Sequence, residues 1–221
     1  MSAQMDGSSD SREALLDAVE ATLRKDGLAK LSLRAVARTA GFSHGAPGAL
    51  FGDRAGMLSA YAARGYSRLA AALRHAVEGM TDPAEMLTGI GAAYIRFALR
   101  EPECFMLMFR DDLLCLERPE LVEARERAWA PLSAAVEAAV ARGIIAAERA
   151  SLVQLGAWSL VHGFSQLWLS GAIGRRSNPN EGVELESLAV ALPRLFAHSV
   201  LGEAPTTKVG TQLKFGSTAG R

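Results

Sequence analysis

Residues 31–54 read LSLRAVARTAGFSHGAPGALFGDR, and this stretch decides the fold. Ser32 is placed to cap a short helix whose Leu33, Val36, Ala37 and Ala40 follow the i, i+3, i+4, i+7 spacing of a single buried face. Gly41 breaks that helix, because glycine enters the left-handed region of a tight reversal at no steric cost. Ser43 stands where it would cap a third, very short helix running to about Leu50. Upstream, Asp10 and Glu13 have capping-box spacing for a first helix with Leu16, Val19 and Leu23 on one face, ended by Gly27. Three short helices, the last two joined through a glycine turn, are the pattern of a helix-turn-helix. Its second helix enters the major groove by its N-terminal residues, while exposed N–H groups and nearby arginines hold phosphates.

Outward from this unit the chain stays helical. Apolar residues recur at spacings of three and four, and no alternating run marks a strand. A long fourth helix is expected from near Asp53, with Leu58, Tyr61, Ala62, Gly65, Leu69 and Leu73 facing inward. Thr81-Asp82-Pro83 opens a fifth, Glu101-Pro102 ends it and opens a short sixth, and Pro119 opens a seventh ending at Arg142-Gly143. Two more are expected at about 148–171 and 182–201, joined by a Gly, Asn, Arg and Pro-rich linker from Gly171 to Gly182. The fold expected is therefore all-α: a three-helix helix-turn-helix domain over 10–52, followed by a six-helix domain over 53–201. Residues 1–9 and 202–221, rich in small polar residues, are expected to be loose tails.

Charge is informative by its distribution. The chain of 221 residues carries 24 basic and 24 acidic side chains, a balance that by itself disfavours a nucleic-acid binder. Between Ala21 and Phe51, however, Arg24, Lys25, Lys30, Arg34 and Arg38 face only Asp26, a local charge of +4. Two cysteines, Cys104 and Cys115, suit a reducing, cytoplasmic setting, and no apolar run reaches the length of a membrane span. No signal peptide is read at the start of the chain. Enzyme chemistry finds little footing. Gly89-Ile-Gly91-Ala-Ala-Tyr94 is half a dinucleotide fingerprint inside a helical pattern, with no strand before it. The histidines at 44, 75, 162 and 198 lack metal-ligand spacing, and no nucleophile elbow is present, so neither metal nor cofactor is expected.

The run from Leu31 to Arg54, followed by Met57-Leu58, resembles the DNA-binding domain of the tetracycline-repressor (TetR) family over roughly residues 11–65. The matching positions are Ser32, Arg34, Ala40-Gly41-Phe42-Ser43, Phe51, Arg54 and Leu58. The resemblance implies that Ser32 and Arg34 meet phosphates and that Ser43, His44, Gly45 and Pro47 approach base edges. It also implies that Arg54 anchors the DNA backbone and that Phe51 packs inward. Where the family usually has Leu-Tyr-x-His-Phe, this chain has Pro47-Gly48-Ala49-Leu50-Phe51. Gly48 and Leu50 thus replace the commonly contacting aromatic and histidine, and fewer side-chain contacts or weaker operator binding is expected. An all-α ligand-binding or interaction module without specific DNA binding stays open as the alternative.

Trp158-Ser-Leu-Val-His162-Gly163, with Phe164, Leu167 and Gly171, resembles the WHG type of C-terminal domain in the same family, as does the run from Pro102 to Phe109. The eighth helix leaves almost no polar face, so both sides need covering, most simply by a second subunit. Leu155, His162, Gln166, Leu185, Leu188, Leu192 and Leu195 are the expected dimer contacts. Tyr94, Phe97, Phe105, Met106, Phe109, Trp129, Trp158 and His162 are the expected lining of an apolar effector pocket. The partners implied are a palindromic duplex, a small hydrophobic effector and a second copy of the chain.

Overall fold

The first helix, α1 (Ser2–Asp26), ends where Gly27 turns to φ 75° and its amide bonds back to the Leu23 carbonyl. This computed structural model describes residues 2–173 and 184–202. The helix begins well before the expected Asp10 cap, so residues 2–9 extend it rather than forming a loose tail. Extension past a formed helical nucleus costs little, and no proline interrupts it. After a single 3₁₀ turn come α2 (Leu33–Ala40), α3 (Ala46–Phe51) and α4 (Arg54–Ala76). Then follow α5 (Pro83–Arg100), α6 (Pro102–Met108), α7 (Pro119–Ala141), α8 (Ala150–Leu169) and α9 (Leu185–Leu201). The expected Gly171–Gly182 linker lies largely outside the described residues, as does all of the expected C-terminal tail beyond Gly202.

Punctuation in the sequence sets most of these boundaries. Asp53 Oδ1 accepts the Gly56 amide at 2.8 Å and starts α4. Asp82 Oδ2 accepts the Glu85 amide at 2.9 Å and starts α5 with Pro83 in its first turn.

The chain divides into two compact units that cut across the expected domain boundary. Of the described residues, one comprises 2–68 with 101–127, the other 69–100 with 128–173 and 184–202. The first packs Leu15, Leu16, Val19, Leu31, Val36, Phe51, Met57, Leu58 and Tyr61 into its core. Segment 101–127 belongs to it because α6 returns to α1, and because Tyr66 Oη donates to the Met108 carbonyl at 3.0 Å. In the second unit α5 is the central element, packed against α8 and α9. Gly91 makes that packing possible: a Cβ there would lie 2.5 Å from Pro193 Cβ. Pro193 itself is buried within α9. Among the described residues no helix is long and apolar enough to cross a membrane.

Candidate functional site

Ser32 stands in extended backbone ahead of α2, and its Oγ accepts the Ala35 amide at 3.2 Å. At the other end Gly41 adopts φ 73°, and the Phe42 amide closes on the Ala37 carbonyl at 2.9 Å. The chain thereby reverses within Gly41–Gly45 and enters α3. That helix starts at Ala46, three residues after the Ser43 cap expected, and its N-cap Gly45 makes no side-chain bond. Pro47 explains the shift. Its fixed φ suits the first helical turn and fixes the start there.

The short helix has an inner and an outer side. Pro47 and Phe51, four residues apart, are buried, so Pro47 packs inward instead of approaching base edges as expected. The outward residues are Ser43, His44, Gly45 and Ala49, with Gly48 and Leu50 half-buried. Ala49 was not among the expected contacts, although the four-residue spacing of Pro47 and Phe51 marks the opposite face as outward. Beside this surface Arg34 and Arg38 are exposed and, among the described residues, enter no ion pair. The other cations of the basic stretch differ. Arg24 pairs with Glu20 at 2.9 Å and Lys30 with Asp26 at 3.8 Å.

Arg54, expected to anchor the DNA backbone, is also bonded within the chain. Its Nε donates to the Leu31 carbonyl at 2.8 Å and its Nη2 to the Leu28 carbonyl at 3.1 Å. The fork faces the backbone that joins α1 to α2 and braces this unit. Arg64 ties α4 to α1 in the same way, donating to Asp17 at 2.6 Å, to Glu20 at 3.2 Å and to the Leu16 carbonyl at 2.8 Å. Arg68 joins Glu20 at 3.1 Å and stands 3.0 Å from Glu101.

The eight expected pocket residues are shared between the two units. Phe105, Met106 and Phe109 belong to the first unit, and the other five to the second. Met106 is 45% exposed between buried Phe105 and Leu107, because it takes the outward side of the short α6. Within the first unit, a small crevice with room for about one water is lined by Glu20, Arg24, Tyr61, Glu101, Glu103 and Cys104, none of them an expected pocket residue. The Cys104 thiol there is pushed up to about 11, chiefly by burial, and is inert near neutral pH.

In the second unit, Tyr94 and Phe97 are buried and Trp158 and His162 half-buried. Trp158 Nε1 donates to Tyr94 Oη at 3.4 Å, and Tyr94 Oη lies 2.9 Å from His162 Nδ1. Trp129 stacks edge-on against Trp158 with ring centroids 6.0 Å apart, though it is 38% exposed. Burial holds His162 below its ordinary pKa, so the ring is neutral at physiological pH. On the outer face of α8, Leu152, Leu155 and Leu167 are exposed, as is Leu195 on α9. Leu188 was expected on that face but is covered within the chain, and His162 turns to Tyr94. Leu185, Leu192 and Gln166 are half-buried.

The geometry is that of an all-α chain with an N-terminal helix-turn-helix, whose Arg34 and Arg38 enter no ion pair among the described residues, and a helical unit built around α5, α8 and α9. The family described as "Tetracyclin repressor-like, C-terminal domain" matches residues 87–190. A protein of unknown function from Rhodococcus sp. RHA1 is 33% identical, with a TM-score of 0.72 over 86% of this chain and 94% of its own. The TetR family regulator PfmR from Thermus thermophilus is 21% identical, with a TM-score of 0.62 over 83% of this chain and 97% of its own. A TetR family transcription regulator from Marinobacter aquaeolei is also 21% identical, with a TM-score of 0.63 over 87% and 97%. No curated protein matches the chain. Residues 87–190 thus match the tetracyclin repressor-like C-terminal family, and the solved TetR family structures share this chain's fold.

Proposed function

We propose that the chain is a repressor that acts as a dimer on a palindromic operator and leaves it when a small apolar effector binds the helical C-terminal part. The observation that carries the reading is the contrast among the helix-turn-helix cations. Arg24 and Lys30 are engaged by carboxylates, whereas Arg34 and Arg38 stand exposed and unpaired next to the outward residues of α3. Unpaired cations beside a helix-turn-helix surface are what phosphates require. The exposed leucines of α8 and α9 suit a two-fold partner, which would hold two recognition helices about one DNA turn, roughly 34–36 Å, apart. An effector that favours a different packing of the helices would change that spacing and shift the population off DNA.

Short duplexes selected by the protein from a randomised library provide the test, read by fluorescence anisotropy. Selection of a two-fold symmetric motif is expected. Arg34→Ala combined with Arg38→Ala should weaken binding to selected and unselected duplexes alike and flatten the salt dependence by about two phosphate contacts. A thermal-shift screen of small hydrophobic compounds should yield ligands that release the selected duplex. Failure to select any motif would leave the interaction-module reading.

A further inference from the structure

Helix α3 cannot hold its own position. It has six residues, APGALF, with glycine and proline inside and no side-chain cap at its start. Isolated helices of this length do not persist in water, and these residues oppose even a single turn. Its place must be imposed by contacts from outside, and the structure shows where they fall.

Phe51 closes α3, and its carbonyl is one of the acceptors a helix leaves unsatisfied at its C-terminus. Arg118 Nη2 donates to that carbonyl at 3.0 Å, across 67 positions of sequence. Arg118 lies just ahead of Pro119, which opens α7. Its Nη1 donates to Glu120 Oε1 at 3.4 Å, and Glu120 Oε2 pairs with Arg12 of α1. The Arg12 guanidinium in turn sits 5.5 Å from the centroid of the buried Phe51 ring. Phe51 is therefore gripped twice, by Arg118 at the carbonyl and by Arg12 at the ring, and Glu120 joins the two cations. Gly56 keeps the approach open: a Cβ there would lie 2.1 Å from the Phe51 oxygen and 3.0 Å from Arg118 Nη2. All of these residues belong to the first unit.

We infer that Arg118, steadied by Glu120, is a positioning residue for DNA readout that fixes the recognition helix through the Phe51 carbonyl. It touches no base. It links the start of α7 to the helix that presents Ala49 and follows the turn carrying His44, so a displacement of segment 101–127 is felt at the reading surface. The inference rests on the DNA-binding reading for its consequence, though not for the latch itself.

The test compares Arg118→Ala, Arg118→Lys and Glu120→Gln with Arg127→Ala. Arg127 is a more exposed arginine within α7 itself, paired among the described residues with Glu123 at 3.5 Å. Affinity is measured for duplexes selected by the unaltered protein and for the unselected library. Arg118→Ala should lower the ratio of the two affinities about tenfold, the worth of one charge-assisted bond, with the unselected affinity held within about twofold. Arg118→Lys keeps a single donor and should recover part of the ratio, and Arg127→Ala should leave it unchanged. A loss of fold alone would lower both affinities together. Should Arg118→Ala not fold, Glu120→Gln carries the same expectation at about threefold, because it loosens the guanidinium without removing it. Amide exchange of residues 46–52 without DNA is the independent reading, expected to quicken in Arg118→Ala and not in Arg127→Ala. An unchanged ratio, or unchanged exchange, overturns the inference. A protein that selects no motif, yet shows the faster exchange, keeps the latch and loses the DNA-binding reading.

Discussion

Tyr94 Oη lies 2.9 Å from His162 Nδ1, and this contact joins α5 to α8 inside the second unit. The indole N–H of Trp158 only donates, so Tyr94 Oη accepts there and its own proton is left for the imidazole. A neutral ring receiving that proton at Nδ1 carries its hydrogen on Nε2. Protonation would turn Nδ1 into a donor and abolish this arrangement.

Stability should therefore depend on pH through His162. Burial depresses its folded-state pKa below the unfolded value of about 6.5. Above that value both states are neutral and the ring costs nothing. As pH falls through it, the unfolded chain binds a proton that the folded chain refuses, so stability drops until the depressed folded value is passed. His162→Gln keeps an acceptor without the titration. The melting temperature of the unaltered protein should fall relative to that variant between about pH 7 and pH 5. Parallel curves would show that His162 does not titrate as described.

Gly91 and Gly163 should respond to alanine in opposite ways. At Gly91 the new Cβ meets Pro193 Cβ at 2.5 Å and Val161 Cγ1 at 3.2 Å, and a proline ring, closed onto its own backbone, cannot swing aside as a flexible side chain can. The overpacking costs about 1–3 kcal/mol, more than the helix-propensity gain of at most about 1 kcal/mol. Gly91→Ala should thus lower the urea midpoint. At Gly163 the added Cβ meets nothing within 4 Å in its own chain. Gly163→Ala should stabilise the isolated subunit by about 0.5–1 kcal/mol, and a loss instead would place another surface against α8.

Arg54 is best tested by a local measurement. Both of its bonds go to backbone carbonyls between α1 and α2, and each hydrogen bond to a charged group is worth about 1.5–3 kcal/mol. Arg54→Ala should lower stability by about 2–4 kcal/mol and speed amide exchange in residues 28–36 first. Arg54→Lys, with a single point of donation, should recover less than half of the loss. A variant that loses DNA affinity at unchanged stability would return Arg54 to the DNA backbone.

What could be read beforehand from the chain, and what could not, follows from the range of the forces involved. Gly27, Gly41, Asp53, Asp82-Pro83 and Pro102 act on their own backbone within four residues, so the helix boundaries they set were legible. The brace made by Arg54 was not legible, because nothing local shows that the Leu28 and Leu31 carbonyls wait for it. Pro47 lay nearer to view, since its four-residue spacing from buried Phe51 marks it as inward. Met106 and Phe105 are neighbours of similar hydrophobicity, and only tertiary packing decides that one is 45% exposed and the other fully buried. Arg118 carried no motif at all, because its partner is a carbonyl 67 positions away.

The leucines of α8 and α9 separate two kinds of burial. Leu155 is 53% exposed and Leu152 68% exposed in one subunit, whereas Leu188 is 9% exposed. A carboxylate at an exposed position costs the single subunit little, but burying it unpaired between two subunits costs several kcal/mol. Leu155→Glu should then leave helicity and monomer stability near their original values while converting dimer to monomer in light scattering. Leu188→Glu should unfold the subunit, because no partner is needed to cover that side chain. A Leu155→Glu protein that stays dimeric at micromolar concentration would remove this face of α8 from the interface.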